Sequence, residues 1–158
     1  MKQEQIILPS WLQNRFIVLI GLMGAGKTRL GRILAESLKL PFIDTDIEIE
    51  KAAGITIEEI FNNFGETYFR NGEQKVINRV LNGEPSILAT GGGAFMNSVT
   101  RKKIEKFGIS IWLRADINLL VKRTESRSGR PLLKNGNRRE ILSKLMKERY
   151  SVYSEADI

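Results

Sequence analysis

The chain has 158 residues, of which 42% are hydrophobic, and this composition favours one compact soluble domain with a core of its own. It contains no cysteine and no histidine, which excludes a disulfide framework, thiolate chemistry, a histidine base and a histidine metal site. Carboxylates, lysine, arginine and backbone groups would therefore have to carry any catalysis. The formal net charge of +7 suits an anionic ligand, either a nucleotide or a nucleic acid.

The organisation of the sequence favours a single domain over residues 1–158. Residues 1–14 form an N-terminal extension before the first predicted strand, and no repeat or linker divides the rest. No apolar stretch is long enough to span a bilayer, and the N-terminus lacks a secretory pattern. We therefore expect a cytoplasmic protein without membrane contact.

The first predicted strand, Phe16–Ile20, leads directly into a glycine-rich segment, Gly21–Thr28. The segment fits the phosphate-binding pattern G-x-x-x-x-G-K-[ST], and a helical pattern follows it to about Leu40. The glycines allow tight turns, so backbone N–H groups and the helix N-terminus can face phosphate oxygens. We expect Lys27 to bind the β- and γ-phosphates and Thr28 to bind Mg²⁺. A glycine-rich turn that binds nothing would not need all these parts in this order.

The second predicted strand, Phe42–Asp44, ends beside two carboxylates. Because the carboxyl ends of strands line the ligand crevice of an α/β sheet, Asp44 and Asp46 are expected near the phosphate loop. Asp44 could hold Mg²⁺ through water, and Asp46 could take a proton from a substrate hydroxyl. The alternative is that Asp46 is only the N-cap of a helix from Ile47 to Ala53.

A capping box at Thr56 and Glu59 predicts a short helix that ends near Gly65, and a second helix follows. On this second helix Arg70 and Glu73 are three residues apart and share a face. Spacing alone favours a solvated ion pair. The alternative is a bidentate grip of Arg70 on a substrate carboxylate, with Glu73 orienting the guanidinium.

The third predicted strand, residues 86–90, runs straight into Gly91-Gly92-Gly93. Three glycines at the carboxyl end of a strand favour close approach of a ligand to the backbone over a merely flexible turn.

The C-terminal part contributes a fourth predicted strand, Ile109–Leu113, and a helix that Asp116 caps. Residues 125–137 are polar and basic, and we interpret them as a mobile lid whose arginines, including Arg127 and Arg130, close over phosphates. A solvated basic loop is the alternative. On the last predicted helix, from about residue 138, Arg149 borders the apolar stripe, where it either snorkels to water or binds an anion.

Taken in this order, the motifs resemble those of shikimate kinases. The resemblance covers nearly all of residues 17–158 and rests on segments 21–28, 44–46, 69–73, 91–93, 130–133 and 148–153. It implies a three-layer α/β P-loop kinase fold, with a central parallel sheet flanked by helices, similar to nucleoside monophosphate kinases. It also implies transfer of the ATP γ-phosphate to the 3-hydroxyl of shikimate, on the route to chorismate and the aromatic amino acids, with Mg²⁺ as cofactor. Family members usually continue into a further strand and a final helix, which we expect to be absent here.

The resemblance also implies individual roles. The expected catalytic residues are Lys27, Asp46 as the base, and Arg130 as the lid arginine. The expected Mg²⁺ ligands are Thr28 and Asp44. The expected shikimate site consists of Asp46, Arg70, Gly92 and Arg149. The expected ATP site consists of Gly24, Ala25, Gly26, Lys27, Thr28, Arg29, Arg123 and Arg130, with Arg123 beside the adenine.

Two other functions stay open. A related small-molecule kinase, for example one for gluconate, would share the phosphate loop, but Arg70 with Arg149 and the triple glycine favour shikimate. A non-catalytic nucleotide binder or nucleic-acid module is compatible with the net charge. However, few aromatic residues lie in basic surroundings and no nucleic-acid motif is present. We expect a monomer whose partners are ATP and shikimate, without nucleic acid.

Overall fold

A four-stranded parallel sheet forms the middle layer of the fold. The structure is a computed structural model and describes residues 8–125 and 130–158. The strands are β1 (Phe16–Ile20), β2 (Phe42–Asp44), β3 (Ile87–Ala89) and β4 (Gly108–Trp112). They lie in the order β2-β3-β1-β4, and each neighbouring pair is parallel. The phosphate-loop segment therefore leaves from a central strand, with β3 beside it.

Helices cover both faces of this sheet. They are α1 (Lys27–Leu38), α2 (Thr45–Ala53), α3 (Ile57–Leu81), α4 (Ser98–Phe107), α5 (Ile117–Glu125) and α6 (Arg138–Tyr153), with 3₁₀ turns at Ala94–Met96 and Pro131–Leu133. Alternate residues of β1 enter different cores because side chains alternate along a strand. Val18 packs in the core with α3 to α6, whereas Leu19 packs with α1. The predicted three-layer α/β fold is confirmed.

The N-cap of helix α2 is Asp44, not Asp46 as the alternative interpretation of the sequence had it. The helix begins at Thr45, and its N-cap is Asp44, whose Oδ1 accepts a hydrogen bond from the Asp46 N–H at 3.0 Å. Asp44 has the extended backbone that an N-cap requires, because it is also the last residue of β2. The interpretation of Asp46 as the N-cap is therefore wrong, and its carboxylate is left for other contacts.

Helix α3 is kinked at Gly65, where φ is 81° and ψ is 175°. The capping box at Thr56 and Glu59 forms as predicted, and the predicted helix end near Gly65 is this kink. The kink gives the two halves of α3 different directions. The first half carries Ile57 and Phe61, and the second carries Arg70.

The predicted lid is described only in part. Residues 126–129, with Arg127, and residues 1–7 of the predicted extension lie outside the described residues. The 3₁₀ turn Pro131–Leu133 packs on the body of the protein, since Leu133 is buried in the main core. Lys134 forms an ion pair with Glu58 at the start of α3. Within residues 8–125 and 130–158, none of the helices has the length and apolar character needed to cross a bilayer.

The last residues of the chain lie against the outer edge of β4. The Ile158 N–H donates to the Ser110 carbonyl at 3.1 Å, and the Trp112 N–H donates to the Ile158 carbonyl at 2.7 Å. The Asp157 carboxylate accepts hydrogen bonds from both the N–H and the hydroxyl of Ser110, each at 2.8 Å. Ile158 thus pairs with β4 in the hydrogen-bond pattern of parallel strands.

Candidate active site

The phosphate loop has the backbone that its glycines predict. Gly24 and Gly26 have φ values of 85° and 100°, a left-handed conformation that side chains rarely tolerate. Gly26 precedes α1 without a side-chain cap, so the first N–H groups of that helix are not taken by a capping side chain. Ala25 instead uses its N–H inside the loop, on the Leu22 carbonyl at 3.1 Å.

A cleft of about 350 Å³ lies in front of this loop, and we call it the phosphate cleft. It is lined by Met23, Gly24, Gly26, Lys27, Thr28, Arg29, Asp44, Asp46, Thr90, Gly91, Gly92, Arg123 and Arg130. All of the expected ATP-site residues except Ala25 are in this set. Arg123 donates to the Gly24 carbonyl at 3.2 Å, so it lies against the backbone of the phosphate loop.

Lys27 is a buried cation in this cleft. Its ammonium donates to the carbonyls of Gly21 and Leu22 at 2.7 and 2.9 Å, and only 9% of the residue is exposed. Burial, together with the neighbouring Arg130, lowers the pKa of Lys27 to about 8, while Asp46 and Asp44 act in the opposite direction. An ammonium in such surroundings gains more from an anionic ligand than an exposed lysine does.

Thr28 and Asp44 offer adjacent oxygen atoms. The Thr28 hydroxyl donates to Asp44 Oδ2 at 2.8 Å. Hydroxyl and carboxylate oxygens are ligands that Mg²⁺ accepts, and this ion commonly uses few protein ligands besides water and phosphate. The two residues therefore fit a nucleotide-bound Mg²⁺.

A second, smaller pocket of about 130 Å³ opens beside the phosphate cleft, and we call it the arginine pocket. It is lined by Met23, Asp46, Ile57, Phe61, Phe69, Arg70, Glu73, Gly91, Gly92, Gly93, Arg130, Pro131, Leu132 and Arg149. One wall is apolar, and the remaining walls carry three arginines and two carboxylates. All four expected shikimate-site residues line it.

Arg70 and Glu73 form an ion pair in the wall of this pocket. Arg70 Nη1 donates to Glu73 Oε1 at 2.8 Å, and Glu66 accepts from Nη2 at 3.2 Å. Only 3% of Glu73 is exposed, so the solvated ion pair that the spacing favoured is wrong. Burial raises the pKa of Glu73, and Arg70 opposes that effect. The pair thus holds a guanidinium at the pocket rather than on an open helix surface.

Arg149 does not snorkel to water. Its exposed fraction is 7%, and its Nη1 is buried without a hydrogen-bond partner among the described residues. A buried guanidinium N–H normally has a partner, since leaving it unsatisfied is costly. An anionic group in the arginine pocket would supply one.

The three consecutive glycines make room for the charged groups of the pocket. A Cβ at Gly91 would lie 2.7 Å from Glu73 Oε2, and one at Gly93 would lie 2.5 Å from Arg70 Cζ. A Cβ at Gly92 would lie 3.2 Å from Arg149 Nη1. The Gly91 N–H is held by the buried Thr45 hydroxyl at 3.1 Å. The glycines therefore let the side chains that surround them approach the backbone closely.

The phosphate cleft and the arginine pocket meet at Asp46. Both are lined by Met23, Asp46, Gly91, Gly92 and Arg130. Burial, together with the neighbouring Asp44 and Glu73, raises the pKa of Asp46 to about 6, while Lys27 acts in the opposite direction. Asp46 as a residue is nevertheless exposed, and it lines both cavities. At neutral pH Asp46 is a largely ionised base, stronger than an ordinary aspartate.

Several lining residues carry no distinctive sequence signal. Ile57, Phe61 and Leu132 form the apolar wall of the arginine pocket. In the sequence their spacing is that of ordinary helix or loop residues that contribute to a core. Only the kink at Gly65 and the docking of the 130–133 segment bring them to the pocket.

Comparison with known proteins agrees with this geometry. A protein-family model described as shikimate kinase matches residues 23–158. A shikimate kinase from Paramagnetospirillum magneticum is 57% identical over 145 residues, which cover 92% of this chain and 74% of that protein.

Solved structures give the same result. A structure described as shikimate kinase from Acinetobacter baumannii in complex with shikimate has a TM-score of 0.88 at 40% identity, over 92% of this chain and 82% of that one. Deoxyadenosine kinase from M. mycoides, at 20% identity and a TM-score of 0.55, covers 86% of this chain and 84% of that one, and it shares the fold alone. From the family match and the sequence identities together, this chain belongs to the shikimate kinase family.

Proposed function

We propose that this chain transfers the γ-phosphate of ATP to the 3-hydroxyl of shikimate, with Asp46 as the residue that joins the two substrates. The observation that carries the proposal is the junction itself. A pocket with one buried arginine, Arg149, and one half-buried arginine, Arg70, opens into the phosphate cleft at a carboxylate whose pKa is raised to about 6. Such an arrangement suits a small carboxylate-bearing alcohol as phosphate acceptor.

In this proposal the arginine pocket orients the acceptor. Arg149, with its buried and unpartnered Nη1, and Arg70, held by Glu73, bind the carboxylate of shikimate. Asp46 hydrogen-bonds the ring hydroxyls at the mouth of the phosphate cleft. The apolar wall of Ile57 and Phe61 faces the carbon ring. Together these contacts direct one hydroxyl toward the γ-phosphate.

The phosphate cleft binds the donor and stabilises charge. Lys27 and Arg130 contact the phosphate oxygens, and the uncapped start of α1 adds its N–H groups. Thr28 and Asp44 are the residues that would hold Mg²⁺, which would neutralise negative charge on the nucleotide phosphates. Asp46 accepts the proton of the acceptor hydroxyl while the oxygen–phosphorus bond forms and the bond to ADP breaks. Closure of the lid excludes water from the cleft.

A coupled assay of ADP release tests the proposal. The chain is incubated with ATP and Mg²⁺, alone, with shikimate or with gluconate. We expect ADP release that depends on shikimate, little release with gluconate, and formation of shikimate 3-phosphate in equal amount. Omission of Mg²⁺ should abolish the reaction. Release with gluconate but not with shikimate would overturn the substrate assignment, and nucleotide binding without any acceptor-dependent release would favour a non-catalytic binder.

A further inference from the structure

Tyr153 is a buried polar residue for which the catalytic roles above give no use. It is the last residue of α6, none of its surface is exposed, and its ring lies 5.9 Å from the Trp112 ring and 6.1 Å from the Tyr150 ring. Its hydroxyl donates a hydrogen bond to the carbonyl of Gly92. A buried tyrosine hydroxyl normally finds a partner, and here that partner belongs to the active site.

Gly92 lies where the two halves of the site meet. A Cβ added to Gly92 would lie 3.2 Å from Arg149 Nη1, 3.5 Å from the Gly21 carbonyl oxygen and 3.6 Å from the Met23 backbone nitrogen. Gly92 therefore lies next to both a side chain of the arginine pocket and the backbone of the phosphate loop.

Tyr153 and Arg149 act on Gly92 from the same helix. They are four residues apart on α6, so their side chains project from one face. Burial raises the pKa of the Tyr153 hydroxyl, and the neighbouring Arg149 opposes that effect. The hydroxyl therefore keeps its proton and remains a donor to Gly92 over the whole neutral range.

We propose that Tyr153 is a positioning residue for phosphoryl transfer. Its hydroxyl fixes the Gly92 carbonyl and thereby sets the spacing between Arg149, which binds the acceptor, and the phosphate loop, which binds the donor. This inference rests on the proposed function of the site. The spacing matters because small displacements of a bound acceptor from the reactive geometry cost large factors in rate.

The test is Tyr153→Phe, which removes one oxygen atom and retains the ring in its aromatic cluster. We expect kcat to fall about tenfold and the KM for shikimate to rise about fivefold, with the KM for ATP within about twofold of the wild type. The ratio of ADP to shikimate 3-phosphate should rise above that of the wild type, because a displaced acceptor leaves the γ-phosphate open to water.

Tyr150→Phe is the matched control on the same helix. Its hydroxyl donates to the Ala115 carbonyl at 3.0 Å, and Tyr150 lines neither the phosphate cleft nor the arginine pocket. Loss of this hydrogen bond should lower the thermal unfolding midpoint without changing KM or product ratio. If the two variants change kinetics and stability alike, Tyr153 has a structural role only and the proposal is overturned.

A double-variant cycle tests the route through Arg149. If Tyr153 acts by placing Gly92 against Arg149, its effect on the KM for shikimate should largely disappear in an Arg149→Lys background. If the effects of Tyr153→Phe and Arg149→Lys on the KM for shikimate are fully additive, Tyr153 does not act through Arg149.

Gly92→Ala is an independent variant of the same junction and does not depend on how Tyr153→Phe folds. It should raise the KM for shikimate, and a wild-type KM would overturn the proposal. ADP release that depends on shikimate is measured separately with the wild-type chain, and it tests the proposed function alone. If the wild-type chain shows this release but the variants behave against expectation, the role of Tyr153 fails and the proposed function stands.

Discussion

The phosphate cleft and the arginine pocket share Asp46 and Gly92 but are assembled in different ways. The phosphate cleft is built on one contiguous segment, residues 21–28, which supplies five of its lining residues and whose conformation is set by glycines with positive φ. The arginine pocket is assembled from α2, α3, the turn after β3 and α6, which contribute Asp46, Arg70, Gly91 to Gly93 and Arg149.

This difference separates two kinds of sensitivity. A contiguous loop carries its geometry in its own backbone, so substitutions there should remove a function without displacing the rest of the site. The arginine pocket depends on the approach of distant segments. Contacts such as Gly93 with Arg70 therefore decide its shape, and substitutions far apart in sequence should have similar effects.

Among the changes that belong to only one of the two regions, the largest effect is expected from Lys27→Met in the phosphate cleft. Loss of the ammonium should lower kcat about 10²- to 10³-fold, because a charge that stabilises the transferring phosphate is removed. Affinity for shikimate should be unchanged, and the thermal midpoint should not fall, since methionine relieves the burial of a charge. Kinetics, calorimetric titration and thermal unfolding measure these three quantities.

The exposed Lys102→Met is the control for this variant, and it should change none of the three quantities. Loss of shikimate affinity in Lys27→Met would show that the two regions are not separable.

A smaller effect is expected from Gly93→Ala in the arginine pocket. Gly93 has φ of −94°, which alanine adopts readily, so the added Cβ acts only through its contact with the Arg70 guanidinium. We expect the KM for shikimate to rise about tenfold with little change in the KM for ATP.

Gly72→Ala is the control, because it lies on α3 near Arg70 and its Cβ would meet nothing within 4 Å. It should leave both KM values unchanged and stabilise the helix by up to about 1 kcal/mol. Equal KM values for shikimate in the two variants would contradict the close approach of Arg70 to the glycines.

The smallest effect is expected from pH, and it should appear in different parameters for the two regions. Below its pKa, Asp46 is already protonated and cannot accept the proton of the acceptor hydroxyl. The value of kcat/KM for shikimate should therefore fall as the pH drops through about 6. Lys27 loses its charge above its pKa, so kcat/KM for ATP should fall as the pH rises through about 8. Bound ATP phosphates stabilise the charged form of Lys27 and so raise its pKa. The pH profile of kcat should therefore not fall near pH 8. If the residual activity of Asp46→Asn still falls as the pH drops through about 6, that fall in kcat/KM for shikimate belongs to a group other than Asp46.

The two regions also differ in how far the sequence predicts them. The phosphate loop, its strand and its helix follow from a local pattern, and so does the capping box at Thr56 and Glu59. The parallel sheet follows from the alternation of strands and helices. In each case the residues that decide the structure are neighbours in sequence.

The arginine pocket could not be derived from spacing in the same way. Arg70 and Glu73 have the spacing of a surface ion pair, and only tertiary packing buries Glu73. The three glycines predicted that some group approaches their backbone closely. They did not indicate that this group consists of charged side chains from α3 and α6. The resemblance to a family supplied those residues, while the role of Tyr153 becomes apparent only when its hydroxyl is seen on Gly92.

Asp46→Asn tests most directly the central claim, that Asp46 is the base at which donor and acceptor sites meet. Asparagine has nearly the same size but cannot accept the proton of the acceptor hydroxyl. We predict that kcat falls about 10²- to 10⁴-fold, while the dissociation constants for ATP and shikimate stay within about threefold of the wild type. Turnover comparable to that of the wild type would contradict the account and remove Asp46 from the role of base.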